Sequence, residues 1–145
     1  MSAIRVPQPS AFRAVIIKLY HNNYTLDPYS DRLYSHDYDV INTTNYANTL
    51  KAAHEYKPGL IIVHDDPAAS VDALEWLRMQ HMDRDARLAM VPLIILANPP
   101  RLPALHREEQ PDRVIVLQNR ADTLNHLTRT VKRVLHVWEM DRPPN

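Results

Sequence analysis

A doubly wound α/β domain built on a short parallel sheet is the fold class this sequence predicts. Three observations carry that expectation. Short apolar runs alternate with amphipathic stretches along the chain, the pattern of successive βαβ units. Two of those runs, Leu60-Ile61-Ile62-Val63 and Leu93-Ile94-Ile95-Leu96, are continuous rather than alternating, as strands covered on both faces must be. The length, 145 residues at 45% hydrophobic content, suffices for one core of ordinary size. One domain is therefore expected over residues 12–140, with 1–11 and 141–145 as flexible tails.

The elements follow in order. Ala14-Val15-Ile16-Ile17 opens the first strand, which ends near Lys18, Leu19 and Tyr20. Asp27-Pro28 reads as an N-cap followed by proline at the first helical position, opening a short helix with Leu33 and Tyr34 facing inward. Val40-Ile41 forms a weak second strand. A second helix spans Tyr46 to Tyr56, since Tyr46, Leu50 and Ala53 share one face, and Pro58-Gly59 ends it. After the Leu60 strand, His64-Asp65-Asp66-Pro67 breaks the run, and a helix from about Ser70 to Met82 buries Val71, Leu74 and Leu77. Pro92 introduces the fourth strand. Four prolines between Asn98 and Asp112 leave room only for a short helix around Leu102 to Arg107. Val114 to Leu117 is the fifth strand. Leu124, Leu127, Val131, Val134, Leu135 and Trp138 make the apolar stripe of a final helix, with Asp122 as its cap.

Composition excludes several classes of function. The 17 basic and 17 acidic side chains cancel, so overall charge recruits neither nucleic acid nor an anionic membrane. With no cysteine, thiolate nucleophiles and cysteine-held metals are ruled out. One glycine against 12 prolines removes every phosphate-cradling loop that needs several glycines. No apolar run approaches the roughly 18 residues of a membrane span, and Met1 to Ser10 do not read as a signal peptide, so a cytoplasmic setting is expected.

Five β-α units in this length suggest a flavodoxin-like three-layer sandwich with strand order 2-1-3-4-5. Lys57-Pro58-Gly59-Leu60-Ile61-Ile62-Val63, Asp72-Ala73-Leu74-Glu75-Trp76-Leu77-Arg78 and Val91-Pro92-Leu93-Ile94-Ile95-Leu96-Ala97 then give the order a more specific likeness. Together they resemble the third strand, third helix and fourth strand of CheY-like response regulator receiver domains. These are scaffold motifs, so the resemblance speaks to fold before activity.

The resemblance implies a set of functional groups from which this sequence departs. A phosphorylatable receiver carries an acidic pair after strand one to hold magnesium, whereas this chain reads Lys18-Leu19-Tyr20. Counting from Pro58, the place of the phosphoacceptor aspartate falls to His64. Ala97 stands for the strand-four hydroxyl residue, and Gln118 for the strand-five lysine. Magnesium binds hard oxygen ligands, and a lysine at strand one offers a repelling charge instead. A one-residue shift would make Asp65 the acceptor, the case in which Mg2+ would be a cofactor; otherwise none is expected. His21, His64, Asp65 and Asp66 at the strand ends form an alternative small-ligand or metal site.

The implied activity is that of an atypical, pseudo-receiver signalling module and not an enzyme. It would act through a signalling protein partner or as a homodimer, with no nucleic acid and no membrane. Leu102, Leu105 and His106, with Arg129, Lys132 and Arg133 on the last helix, are the candidate contact surface. For Leu102 and Leu105 the competing expectation is that they cover the sheet. For the three basic residues it is a solvated helix face.

Overall fold

The structure, a computed structural model, describes residues 14–22, 27–120 and 122–141. The expected tails at 1–11 and 142–145 lie outside the described residues, whereas Asp141 belongs to the last helix. The strands are β1 (Val15–Leu19), β2 (Asp39–Thr43), β3 (Leu60–His64), β4 (Leu93–Ala97) and β5 (Val114–Gln118). The helices are α1 (Pro28–Ser35), α2 (Tyr46–Tyr56), α3 (Ala73–His81), α4 (Ala86–Met90), α5 (Leu102–His106) and α6 (Thr123–Asp141). All strand pairs are parallel and the order is β2-β1-β3-β4-β5. Among the described residues no helix is long and apolar enough to cross a membrane.

Strand alternation divides the core into two halves. Ile16, Leu60, Ile62, Ile94, Leu96 and Leu117 meet Leu33 of α1 and the Leu127, Val131 and Val134 stripe of α6. Ile17, Leu19, Ile61, Val63, Ile95 and Val116 meet Ala52 and Ala53 of α2, Trp76 and Leu77 of α3, and Leu105 of α5. The continuous apolar runs of β3 and β4 are buried throughout because both faces are covered. Order 2-1-3-4-5 also reverses the winding direction between β1 and β3. Their C-terminal ends therefore flank the crevice where such sheets place function.

Several local expectations change. Leu33 is buried but its neighbour Tyr34 is 44% exposed, since adjacent helical positions cannot share one face. Lys57, in the left-handed conformation at φ 49°, ends α2 ahead of Pro58-Gly59. Gly59 serves close packing instead: a Cβ there would meet Leu135 Cδ2 at 3.0 Å and Trp138 Cδ1 at 3.3 Å. The third helix starts at Ala73 and not Ser70. Asp66 and Val71 close a tight antiparallel bridge, and the Asp72 carboxylate then accepts from Leu74 N. Asp122 turns outward to Arg120, 72% exposed, and the start of α6 is tied instead by Thr123 Oγ1, which donates to the Gln118 carbonyl and accepts from Arg120 N.

α4 has no counterpart in the apolar pattern. Its five residues are held by Gln80, a buried amide. Gln80 Nε2 donates to the Leu88 and Val91 carbonyls at 3.1 and 2.8 Å, while its Oε1 accepts from Trp76 Nε1 at 2.9 Å. Gln80→Leu keeps the volume but removes all three bonds, leaving Trp76 Nε1 and the Val91 carbonyl unanswered and the Leu88 carbonyl with only the Val91 N–H at 3.1 Å. A loss of roughly 2–4 kcal/mol in urea unfolding is expected. A loss below about 0.5 kcal/mol would show that Gln80 does not anchor this segment.

Candidate functional site

Charged side chains penetrate the C-terminal end of the sheet at two places, on opposite faces of β3. The first begins with Lys18. Strand alternation points it to the α1/α6 side, where its side chain is 0% exposed. A buried ammonium needs a counter-charge. Asp27 supplies one, ion-pairing with Lys18 Nζ. The same carboxylate caps α1, accepting from Tyr29 N at 3.1 Å and from Ser30 Oγ at 2.8 Å. One aspartate therefore starts the helix and neutralises the strand.

His64, the last residue of β3, completes this cluster. Its Nε2 lies 3.3 Å from Lys18 Nζ, so that nitrogen accepts and the ring proton belongs on Nδ1. Tyr20 lies against the imidazole at 4.4 Å between centroids and Tyr29 at 5.3 Å. Lys18 Nζ is also 4.9 Å from the Tyr20 ring centroid. Burial, then the Lys18 charge, push the His64 imidazole down to about 3, so it is neutral in ordinary buffers. Burial likewise lowers the Lys18 ammonium, opposed by its bond and charge from Asp27. For Asp27, burial raises the carboxyl but Lys18 and Ser30 outweigh it, holding it below the usual range.

Asp65 opens the second cluster. Its backbone N–H continues the ladder to the Leu96 carbonyl at 2.9 Å, and alternation turns its side chain away from His64 toward α3. The carboxylate is 0% exposed and accepts from Ala73 N at 2.8 Å. Arg101, in the 3-10 turn Pro99–Arg101 after β4, donates Nε to Oδ2 at 2.9 Å and Nη2 to Oδ1 at 3.3 Å. The same Nη2 donates to Asp72 Oδ1 at 2.8 Å, at the cap of α3. The Asp65 hydrogen bond leads the effects that hold the Arg101 guanidinium above its already high ordinary value. Arg101 is the residue the sequence reading did not single out. Nothing local marks it, because Asp65 lies 36 positions earlier.

The remaining candidates separate. His21 Nδ1 lies 3.4 Å from Asp66 Oδ2, an ion-pair distance without hydrogen-bond geometry, and its ring stands edge-on to Tyr20. His21, His64, Asp65 and Asp66 therefore do not converge: the strand divides His64 from Asp65. Among the described residues no three His, Asp or Glu side chains group as a metal site. Leu19 is core, and Ala97 pairs in register with Gln118. Leu105 is 0% exposed and Leu102 packs half-buried beside it, so both cover the sheet instead of presenting a patch. His106 is exposed on Glu109 (2.6 Å), whose other oxygen accepts from Val116 N. Arg129, Lys132 and Arg133 lie on the outer side of α6, Arg133 near Asp112 at 3.3 Å. A groove of about 810 Å3 beside Tyr46, Leu50 and Met79 meets these clusters at Asp72.

Comparison with known proteins places this geometry on a familiar scaffold. The fold is that of receiver domains. Similar solved structures include the chemotaxis response regulator CheY4 of Vibrio cholerae, at TM-score 0.66 and 16% identity over 85% of this chain and 99% of that one. A response regulator from Desulfuromonas acetoxidans gives 0.65 and 17%, over 86% and 98%. The receiver domain of a histidine kinase from Syntrophus aciditrophicus gives 0.71 and 19%, over 91% and 96%. No protein-family model and no curated protein sequence matches the chain.

A pH dependence follows from His64. The unfolded imidazole takes a proton below about 6.5 and the folded one refuses it until about 3, so stability falls as pH drops through that window. The slope is expected to approach about 1.4 kcal/mol per pH unit near pH 5. Asp27 adds its own loss only in stronger acid, as pH falls through its lowered value. Urea unfolding from pH 7 to 4 reads the slope. His64→Gln should flatten it, and an unchanged slope in that variant would contradict the assignment.

Proposed function

We propose that the chain is an atypical, receiver-like signalling module that acts by protein–protein contact without aspartyl phosphorylation. The observation that carries this reading is the state of Asp65. Its carboxylate is fully enclosed and accepts three hydrogen bonds, two from the Arg101 guanidinium and one from the Ala73 amide, so an incoming phosphoryl group meets an oxygen pair already engaged by a cation and no open approach.

Magnesium, which the receiver fold implies, does not fit the residues present. It needs several hard oxygen ligands at close range. The nearby carboxylates do not assemble into one site: Asp65 is held by Arg101, Asp27 by Lys18 and the α1 amides, and Asp66 stands apart beside His21. The Lys18 ammonium and the neutral His64 occupy the β1/β3 crevice, where a dication would be repelled or unligated. Ala97 and Gln118 lack the hydroxyl and the cation that would sense a phosphate. In this reading the domain is a cytoplasmic scaffold for a protein partner or a second copy. The exposed basic face of α6 (Arg129, Lys132 and Arg133) is its contact surface, and His106, exposed on α5, is a further contact position.

Intact-mass measurement after incubation with magnesium and a small acyl phosphate tests this directly. The expected spectrum is that of the unmodified chain. A stoichiometric phosphoryl adduct that disappears in Asp65→Asn would replace this reading with that of a phosphorelay receiver.

A further inference from the structure

We propose that Arg101 is a built-in latch, which joins the loop after β4 to the loop after β3 and so fixes α5 on the sheet without an exchangeable cation. The proposal deepens the reading of Asp65 as a non-acceptor and rests on it. Its basis is a convergence of three segments on one guanidinium. Asp65 comes from the end of β3, Asp72 from the cap of α3, and Arg101 itself from the turn that leads straight into α5. The planar fork of arginine suits this use, since Nε and Nη2 grip Asp65 while Nη2 also reaches Asp72.

The latch has a definite load. α5 is only five residues long and has no side-chain cap at its start. Such a helix is unstable by itself and depends on what holds its ends. One end is held through Arg101. The other is tied by Glu109, which accepts from Val116 N of β5 and pairs with His106. Between them Leu105 is driven into the core. Loss of the guanidinium also leaves Asp65 buried without a counter-charge, its carboxylate keeping only the Ala73 amide, so the β3–α3 loop is expected to open together with α5.

Hydrogen exchange on the full chain reads both loops at once. Arg101→Gln is expected to speed amide exchange on the order of tenfold or more in residues 65–73 and in residues 98–109 alike. Asp65→Asn should loosen the same two segments, and the double variant should be no worse than Arg101→Gln alone, because no uncompensated charge remains. If Arg101→Gln does not fold, the double variant carries the comparison with Asp65→Asn. Added magnesium should leave the wild-type exchange unchanged. Acceleration confined to 98–109, additive effects in the double variant, or magnesium protection of 65–73 would each overturn the latch. A phosphoryl adduct on Asp65 would instead sink the functional reading, which separates the two failures.

Discussion

A charge at the end of a strand buried on both faces must find its counter-charge within the protein. This constraint organises the whole C-terminal edge of the sheet. Lys18 and Asp65 are both fully enclosed, and each is answered by one side chain from a loop that could otherwise sit elsewhere. Asp27 brings the start of α1 to β1, and Arg101 brings the start of α5 to β3. Both answering residues do structural work beyond neutralisation. Asp27 caps a helix, and Arg101 also braces Asp72. Removing Asp27 or Arg101 would leave the enclosed Lys18 or Asp65 without its counter-charge, which is costlier than never having placed the pair there.

The alternation of β3 keeps the two solutions apart. His64 and Asp65 are neighbours in sequence, yet one lies in an aromatic and cationic pocket with Tyr20, Tyr29 and Lys18, and the other faces α3 and Arg101. A shift of one residue in strand register would exchange their surroundings entirely. That register is fixed by Leu60, Ile61, Ile62 and Val63, each committed to one half of the core. The chemistry of the strand ends is therefore decided by apolar packing several residues upstream.

Much of the scaffold was legible in the chain itself. The continuous runs at Leu60 and Leu93 identified the central strands, and the stripe from Leu124 to Trp138 identified α6, because apolar periodicity is a local signal. Asp27-Pro28 announced the start of α1, although the ion pair made by the same aspartate was hidden. Lys18 inside an apolar run was a sign that a buried partner must exist. What could not be read was set by tertiary contact. α4 buries a single core side chain, Leu88, and is otherwise held by the Gln80 amide, and Arg101 reaches Asp65 across two loops. Leu102 and Leu105 had equal reason to face the sheet or solvent until α5 was placed.

The most direct test of internal neutralisation is a high-resolution crystal structure of the full chain grown in excess magnesium. Lys18 Nζ between Asp27 and His64, and the Arg101 guanidinium seated on Asp65 with no cation density beside that carboxylate, is the predicted result. A hydrated magnesium ion on Asp65, with Arg101 swung into solvent, would contradict it.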